Sequence, residues 1–241
     1  MFRHKGKARK FRQNLGIASL LSFVAGVVNV VGFLAVQRLT TNVTGHFAFL
    51  VGEAADTNFH QAIHYFLYIF SFFSGAFFSR LLIELTSRFN EKYVFIVPVL
   101  VEIAILTVIA SLSYDFVAQN PNGISCALLF AMGLQNSLVT VISNSVVRTT
   151  HLTGLFTDMG IEVAQLFFSN EVKQRSKLVA SIELRVTIIA AFFLGGITAG
   201  FLFPSFRGRT LLIASSILVI GLMIDYMTIR IRLAKISTKK A

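Results

Sequence analysis

The chain has 241 residues, 55% of them hydrophobic and only 14% charged, with a mean hydropathy of +0.73; soluble domains carry about 25% charged residues, so a soluble fold is excluded and an integral membrane protein is expected. The net charge of +11 does not call for nucleic acid, because half of the 22 Lys and Arg lie in two acid-free tails, 1–13 and 230–241, flanking apolar runs, the pattern left when basic residues are retained in the cytoplasm. Cys126 is the only cysteine, which excludes an intrachain disulfide and a thiolate metal cluster.

The basic start followed by an apolar run resembles a signal peptide, but the run is long and lacks a small-x-small cleavage site, so it reads as a first span. Crossing about 30 Å of hydrocarbon takes roughly 20 apolar residues. Runs of that kind occur at 16–36, 61–84, 93–114, 124–147, 186–204 and 209–229, giving six spans. Two further apolar segments, Val43–Ala55 and Leu152–Phe168, do not read as lipid-facing spans: the first is too short, and the second carries Asp158, Glu162 and Gln165.

Those two segments follow the same motif. Thr40-Thr41-Asn42-Val43-Thr44-Gly45 recurs as Thr149-Thr150-His151-Leu152-Thr153-Gly154, and at the same offset Phe47 falls on Phe156, Glu53 on Glu162 and Ala55 on Ala164. With small insertions, Gly26-Val27-Val28-Asn29 matches Gly133-Leu134-Gln135-Asn136, and Phe72 to Gly75 matches Phe192 to Gly195. The chain is therefore an internal duplication: membrane repeats at 14–114 and 124–229, joined by a turn-forming polar stretch at 115–123.

Three spans per half is an odd number, so the second half is expected upside down relative to the first, the plan of many secondary transporters. With six spans and both termini cytoplasmic, all basic residues but Arg38, Arg207 and Arg209 stay inside. An eight-span parallel repeat, in which the motif segments also cross, moves Arg80, Arg88, Lys92 and Arg148 outside and fits the charge rule less well. The expected fold is all-α, with six transmembrane helices and two short half-helices that begin at the motifs.

Thr and Asn oxygens before Gly and an apolar run can cap the free N–H groups of a starting helix. The alternative is that Thr and Gly are packing glue between helices. The candidate solute-binding set is Asn29, Thr41, Asn42, Thr44, Gly45, Gln135, Asn136, Thr150, His151, Thr153 and Gly154. Within it, interhelical hydrogen bonding is the plainer role for Asn29, Gln135 and Asn136. The candidate proton or cation sites are Glu53, Glu102, Asp158 and Glu162. Glu102 lies mid-span, where an ionised group costs several kcal/mol; Glu53 and Glu162 also fit a solvated interface. Arg80 and Glu84 are one turn apart and are expected to pair, Asp225 to pair with Arg230 or Arg232, and His64 to be a core or interfacial histidine. Asn42-Val43-Thr44 fits a glycosylation sequon that His151-Leu152-Thr153 lacks. No nucleophile–base pair, phosphate loop or metal-ligand spacing is visible, so neither an enzyme nor a cofactor or metal is expected.

The motifs Asn42-Val43-Thr44-Gly45, Gly133-Leu134-Gln135-Asn136 and Thr149 to Gly154, in this order, resemble the YoaK-like family of uncharacterised bacterial membrane proteins over nearly the whole chain. The resemblance implies a multi-span inner-membrane protein without an assigned activity. Asn29 stands where relatives often have Asp, and His46 where Asn is common. Two classes of function remain: a transporter or permease for a small solute, with a site at the paired motifs, and a non-transporting sensor, assembly factor or subunit whose basic tails and 169–185 loop dock partners. The bilayer is the one partner common to both.

Overall fold

The computed structural model describes residues 11–90 and 93–237, with side chains described to Thr228. Every regular element it describes is helical: α1 (Phe11–Val36), α2 (Val43–Ala55), α3 (Phe59–Phe89), α4 (Ile96–Ser111), α5 (Tyr114–Gln119), α6 (Pro121–Ser143), α7 (Leu152–Phe168), α8 (Val172–Phe206) and α9 (Leu211–Ser237), the last two joined by a 3-10 turn at Arg207–Thr210. The stretch 115–123, expected as a turn, instead holds α5 and the start of α6. Ser113 caps α5 by accepting from Phe116 N, and Pro121 opens α6, where a missing N–H costs nothing. Of the two basic tails, 11–13 already belong to α1 and 230–237 continue α9; 1–10 and 238–241 lie outside the described residues.

Four stretches are long and apolar enough to cross a membrane: Phe11–Val36, Phe59–Phe89, Pro121–Ser143 and Val172–Thr228, which takes in α8 and most of α9. Helices of this length and composition mark a membrane protein. The six expected runs thus reduce to four by this measure, because α8 and α9 are nearly continuous and α4 has only 16 residues. In α1 and α6 61% of the apolar window is buried, against 22% in α3 and in the α8–α9 stretch. The centre is therefore α1 and α6. The periphery exposes large side chains such as Phe70, Phe73, Phe77, Phe193 and Phe201, an apolar surface too extensive for water and suited to lipid.

Two helix pairs carry the packing, α1 against α8 and α3 against α6. Each is built on a reciprocal glycine contact. A Cβ on Gly26 would lie 2.0 Å from the Phe192 carbonyl oxygen, and one on Gly195 2.1 Å from that of Phe23. A Cβ on Gly75 would lie 2.0 Å from the Phe130 carbonyl, and one on Gly133 2.1 Å from that of Phe72. Backbones meet at these points with no room for any side chain, which is how helices associate where lipid removes the hydrophobic drive. Arg80 and Glu84 form the expected ion pair on the exposed side of α3; Asp225 is buried, and the side chains of its expected partners, Arg230 and Arg232, lie outside the described residues. His64 meets His60 edge-on at 5.1 Å.

The crossings set a stability contrast. Gly26→Leu and Gly133→Leu force apart backbones that cannot yield, and are expected to lower the thermal midpoint of the detergent-purified protein or abolish its folding, overpacking costing about 1–3 kcal/mol or more. Gly52→Ala and Gly160→Ala, where nothing lies within 4 Å of an added Cβ, should be neutral or stabilising by up to about 1 kcal/mol.

Candidate functional site

After α1 the chain does not continue outward. Gln37 takes a left-handed conformation (φ 54°), and the backbone turns back along the helix it has just left. Thr40 reaches the Val28 carbonyl, to which its hydroxyl donates at 3.2 Å, and Thr41 Oγ1 donates to Asn29 Oδ1 at 2.8 Å. Asn29 lies seven residues before the end of α1, about 10 Å along the axis, so the motif has returned by that depth. The close fit of Thr40 depends on Gly32, where a Cβ would lie 2.4 Å from the Thr40 methyl.

The second copy repeats the manoeuvre. Asn144 (φ 55°) and Ser145 (φ 65°) reverse the chain after α6, Asn being among the residues that tolerate this conformation best. Thr150 Oγ1 donates to Asn136 Oδ1 at 2.9 Å, again seven residues before the helix end, and buried Thr149 donates to the same oxygen at 3.4 Å. Gln135 Nε2 donates to the Leu21 carbonyl of α1 at 2.9 Å and to Thr149 Oγ1 at 3.4 Å. Two Asn–Thr pairs therefore pin the two returns, and Gln135 ties the second to the opposite half.

Each return ends in a helix start, at Val43 and at Leu152. Asn42 caps α2 by accepting from Gly45 N at 2.9 Å. His151 stands at the start of α7 without a side-chain cap bond. Its ring covers the first turn so closely that a Cβ on Gly154 would lie 2.6 Å from it. In both motifs the residue before the helix folds over the glycine, tightly at Gly154 and less so at Gly45, where a Cβ would lie 3.1 Å from Asn42 Nδ2.

The two starts face one cavity of about 850 Å³. Asn29, Thr41, Asn42, Thr44 and Gly45 line it from the first half, and Asn136, Thr150, His151 and Thr153 from the second, with Phe72 and Phe192 of the glycine crossings, Thr140 and Arg148. Nine of the eleven expected solute-binding residues are thus brought together. Gln135 is behind the wall, and Gly154 lines a neighbouring pocket of about 290 Å³ with Asp158, Ser181 and Arg185. Arg148 and His151 border both spaces.

None of the four candidate carboxylates lines the large cavity. Glu53, near the end of α2, accepts from Asn58 Nδ2 at 2.7 Å. Glu162 accepts from Arg185 Nε and Nη2, both at 2.8 Å, and from Ser181 at 2.7 Å; the Arg185 guanidinium holds its carboxyl below the usual range. Asp158 lies 3.2 Å from Arg185. Glu102 is sealed in α4 with neither carboxyl oxygen bonded. Among the described residues no group of three His, Cys, Asp or Glu is placed to hold a metal ion. Sequence reasoning missed Gln37, Asn144 and Arg148; the first two sit at the same offset as Asn29 and Asn136, and that spacing was the available signal.

No curated protein and no solved structure matches the chain. The model of a protein family of unknown function (DUF1275) matches residues 17–224, a range that holds both motifs, both returns and the cavity between them, and the chain belongs to that family.

Proposed function

We propose that the protein is a transporter or permease for a small solute, not an enzyme, and that the solute binds in the cavity bordered by both motif copies. One observation carries this: Thr41, Asn42 and Thr44 from one copy and Thr150, His151 and Thr153 from the other line a single space of about 850 Å³. Broken helices whose starts meet around a cavity are the substrate sites of several transporter folds, and irregular backbone at membrane depth is tolerated where it lines such a space. A docking subunit has no need of one.

On the same proposal the protein resides in the bacterial inner membrane with both termini cytoplasmic. Helices α1, α3, α4, α6, α8 and α9 cross, while α2 and α7 re-enter from opposite faces, making the halves inverted repeats. The matched glycine crossings and matched Asn–Thr returns support a two-fold relation between halves, and the odd number of crossings per half makes it an inverted one. At 16 residues α4 spans about 24 Å, a mismatch that local thinning accommodates at modest cost. Glu102, buried and unpaired within it, is the proposed proton site.

Topology is checked in a Cys126→Ser background. Gln119→Cys should react with an impermeant maleimide added to intact spheroplasts, and Ser87→Cys only after lysis; the reverse pattern belongs to eight spans and sinks the inverted repeat. Function is checked by solute uptake into proteoliposomes. Thr41→Val removes the hydroxyl donor of Asn29 and Thr150→Val the shorter of the two on Asn136, each a loss of about 1–2 kcal/mol, and flux is expected to fall roughly tenfold. Glu102→Gln should remove the dependence of flux on a pH gradient. Full flux in all three variants would separate these residues from transport.

A further inference from the structure

The solute's chemical class can be read from what the cavity wall offers. Its three Asn carboxamide oxygens are already occupied: those of Asn29 and Asn136 accept a Thr hydroxyl at 2.8 Å and 2.9 Å, and that of Asn42 accepts from Gly45 N at 2.9 Å. No Asp or Glu lines it. The carboxylates closest in sequence, Asp158 and Glu162, are both engaged by Arg185. Arg148 lines the cavity and, among the described residues, has neither an acidic partner nor a hydrogen bond. A guanidinium without a counter-ion in the wall of a space that otherwise offers hydroxyls and amides is a receptor for an anion with paired oxygens, because its planar fork matches them bidentately.

The duplication isolates this feature. At the motif offset, Arg148 replaces Leu39 and His151 replaces Asn42, while Thr41 and Thr44 keep identical counterparts in Thr150 and Thr153; Asn29 keeps one, Asn136, at an offset two residues shorter. A guanidinium thus enters the cavity wall from the second half alone, at a residue that also borders the smaller pocket. The starts of α2 and α7 in the same wall add partial positive charge, a secondary contribution.

We infer that the cavity takes a small oxyanion, a compact carboxylate or phosphate, and that Arg148 binds it on the side leading to the smaller pocket. This rests on the transport proposal for its purpose but is tested by binding alone. The detergent-purified full chain is unfolded by heat with a thiol-reactive dye reporting exposure of Cys126, which is partly buried. Sodium formate, acetate, succinate and phosphate are each compared with sodium chloride at equal ionic strength, and with glycerol as a neutral solute. A ligand that binds only the folded state raises the midpoint saturably.

At least one oxyanion should do so in the natural protein. Arg148→Gln should weaken its apparent affinity tenfold or more and Arg148→Lys less, with the unliganded midpoint unchanged because Arg148 makes no contact that holds the fold. His151→Gln serves as a second variant of the same wall and should weaken binding by a smaller factor. A panel without any saturable shift, or one to which Arg148→Gln responds like the natural protein, overturns the inference. Glycerol uptake into proteoliposomes with no oxyanion shift overturns it while leaving transport standing. A saturable oxyanion shift lost in Arg148→Gln, with no uptake of any of these solutes, upholds it and overturns transport.

Discussion

The contact on which the rest depends is the meeting of backbones at Gly26 with Gly195 and at Gly75 with Gly133. Each crossing brings a helix of one half against a helix of the other, α1 on α8 and α6 on α3, so neither half packs as a separate unit. The residues met at the crossings include Phe72 and Phe192, which are also part of the cavity wall. A side chain at any of the four glycines would therefore widen the pair and move that wall together. Packing and site share one constraint.

The returns of the chain after α1 and α6 depend on a second constraint, the satisfaction of backbone and amide groups far from water. A helix that stops in hydrocarbon leaves carbonyls and N–H groups without partners. Here the left-handed Gln37 and Asn144 close the ends, with Gln37 N donating to the Phe33 carbonyl and Asn144 N to that of Thr140. The Thr hydroxyls then give the returning strand something to bind, on Asn29 and Asn136. Thr is the fitting residue for this task, since its hydroxyl donates while its methyl packs, as Thr40 does against Gly32.

Much of this was legible in the sequence, because its short motifs each occur twice. The repeated Thr-Gly motif, the repeated Gly-x-x-Asn and the repeated aromatic-Gly run each fell on a structural pair: helix start, return anchor and crossing. Spacing alone could not show that Asn29 and Thr41 bond, since twelve residues apart on a straight helix they would never meet; the left-handed residue between them is needed, and Gln37 is not a residue type that announces it. Nor could the line-up show how short the link between the last two helices is, α8 and α9 being separated only by a 3-10 turn. The segment 115–123 read as a turn from its Pro, Asn and Gly, yet Ser113 and Pro121 each start a helix there, and helix-opening and turn-forming residues are the same residues.

The matched carboxylates change meaning in the same light. Glu53 and Glu162 follow the motif at equal distance, which invites reading them as part of the site, but Glu53 sits near the end of α2, Glu162 in the second half of α7, and each binds away from the cavity. Glu53 takes the Asn58 amide ahead of α3, and Glu162 takes Ser181 and Arg185 on α8. The carboxylates thus tie α2 to the residue before α3 and α7 to α8. The repeat thus encodes a positioned half-helix rather than a charged site. That arrangement leaves the four candidate carboxylates off the cavity wall and the exposed Arg148 on it, at the position where the first motif stretch carries Leu39.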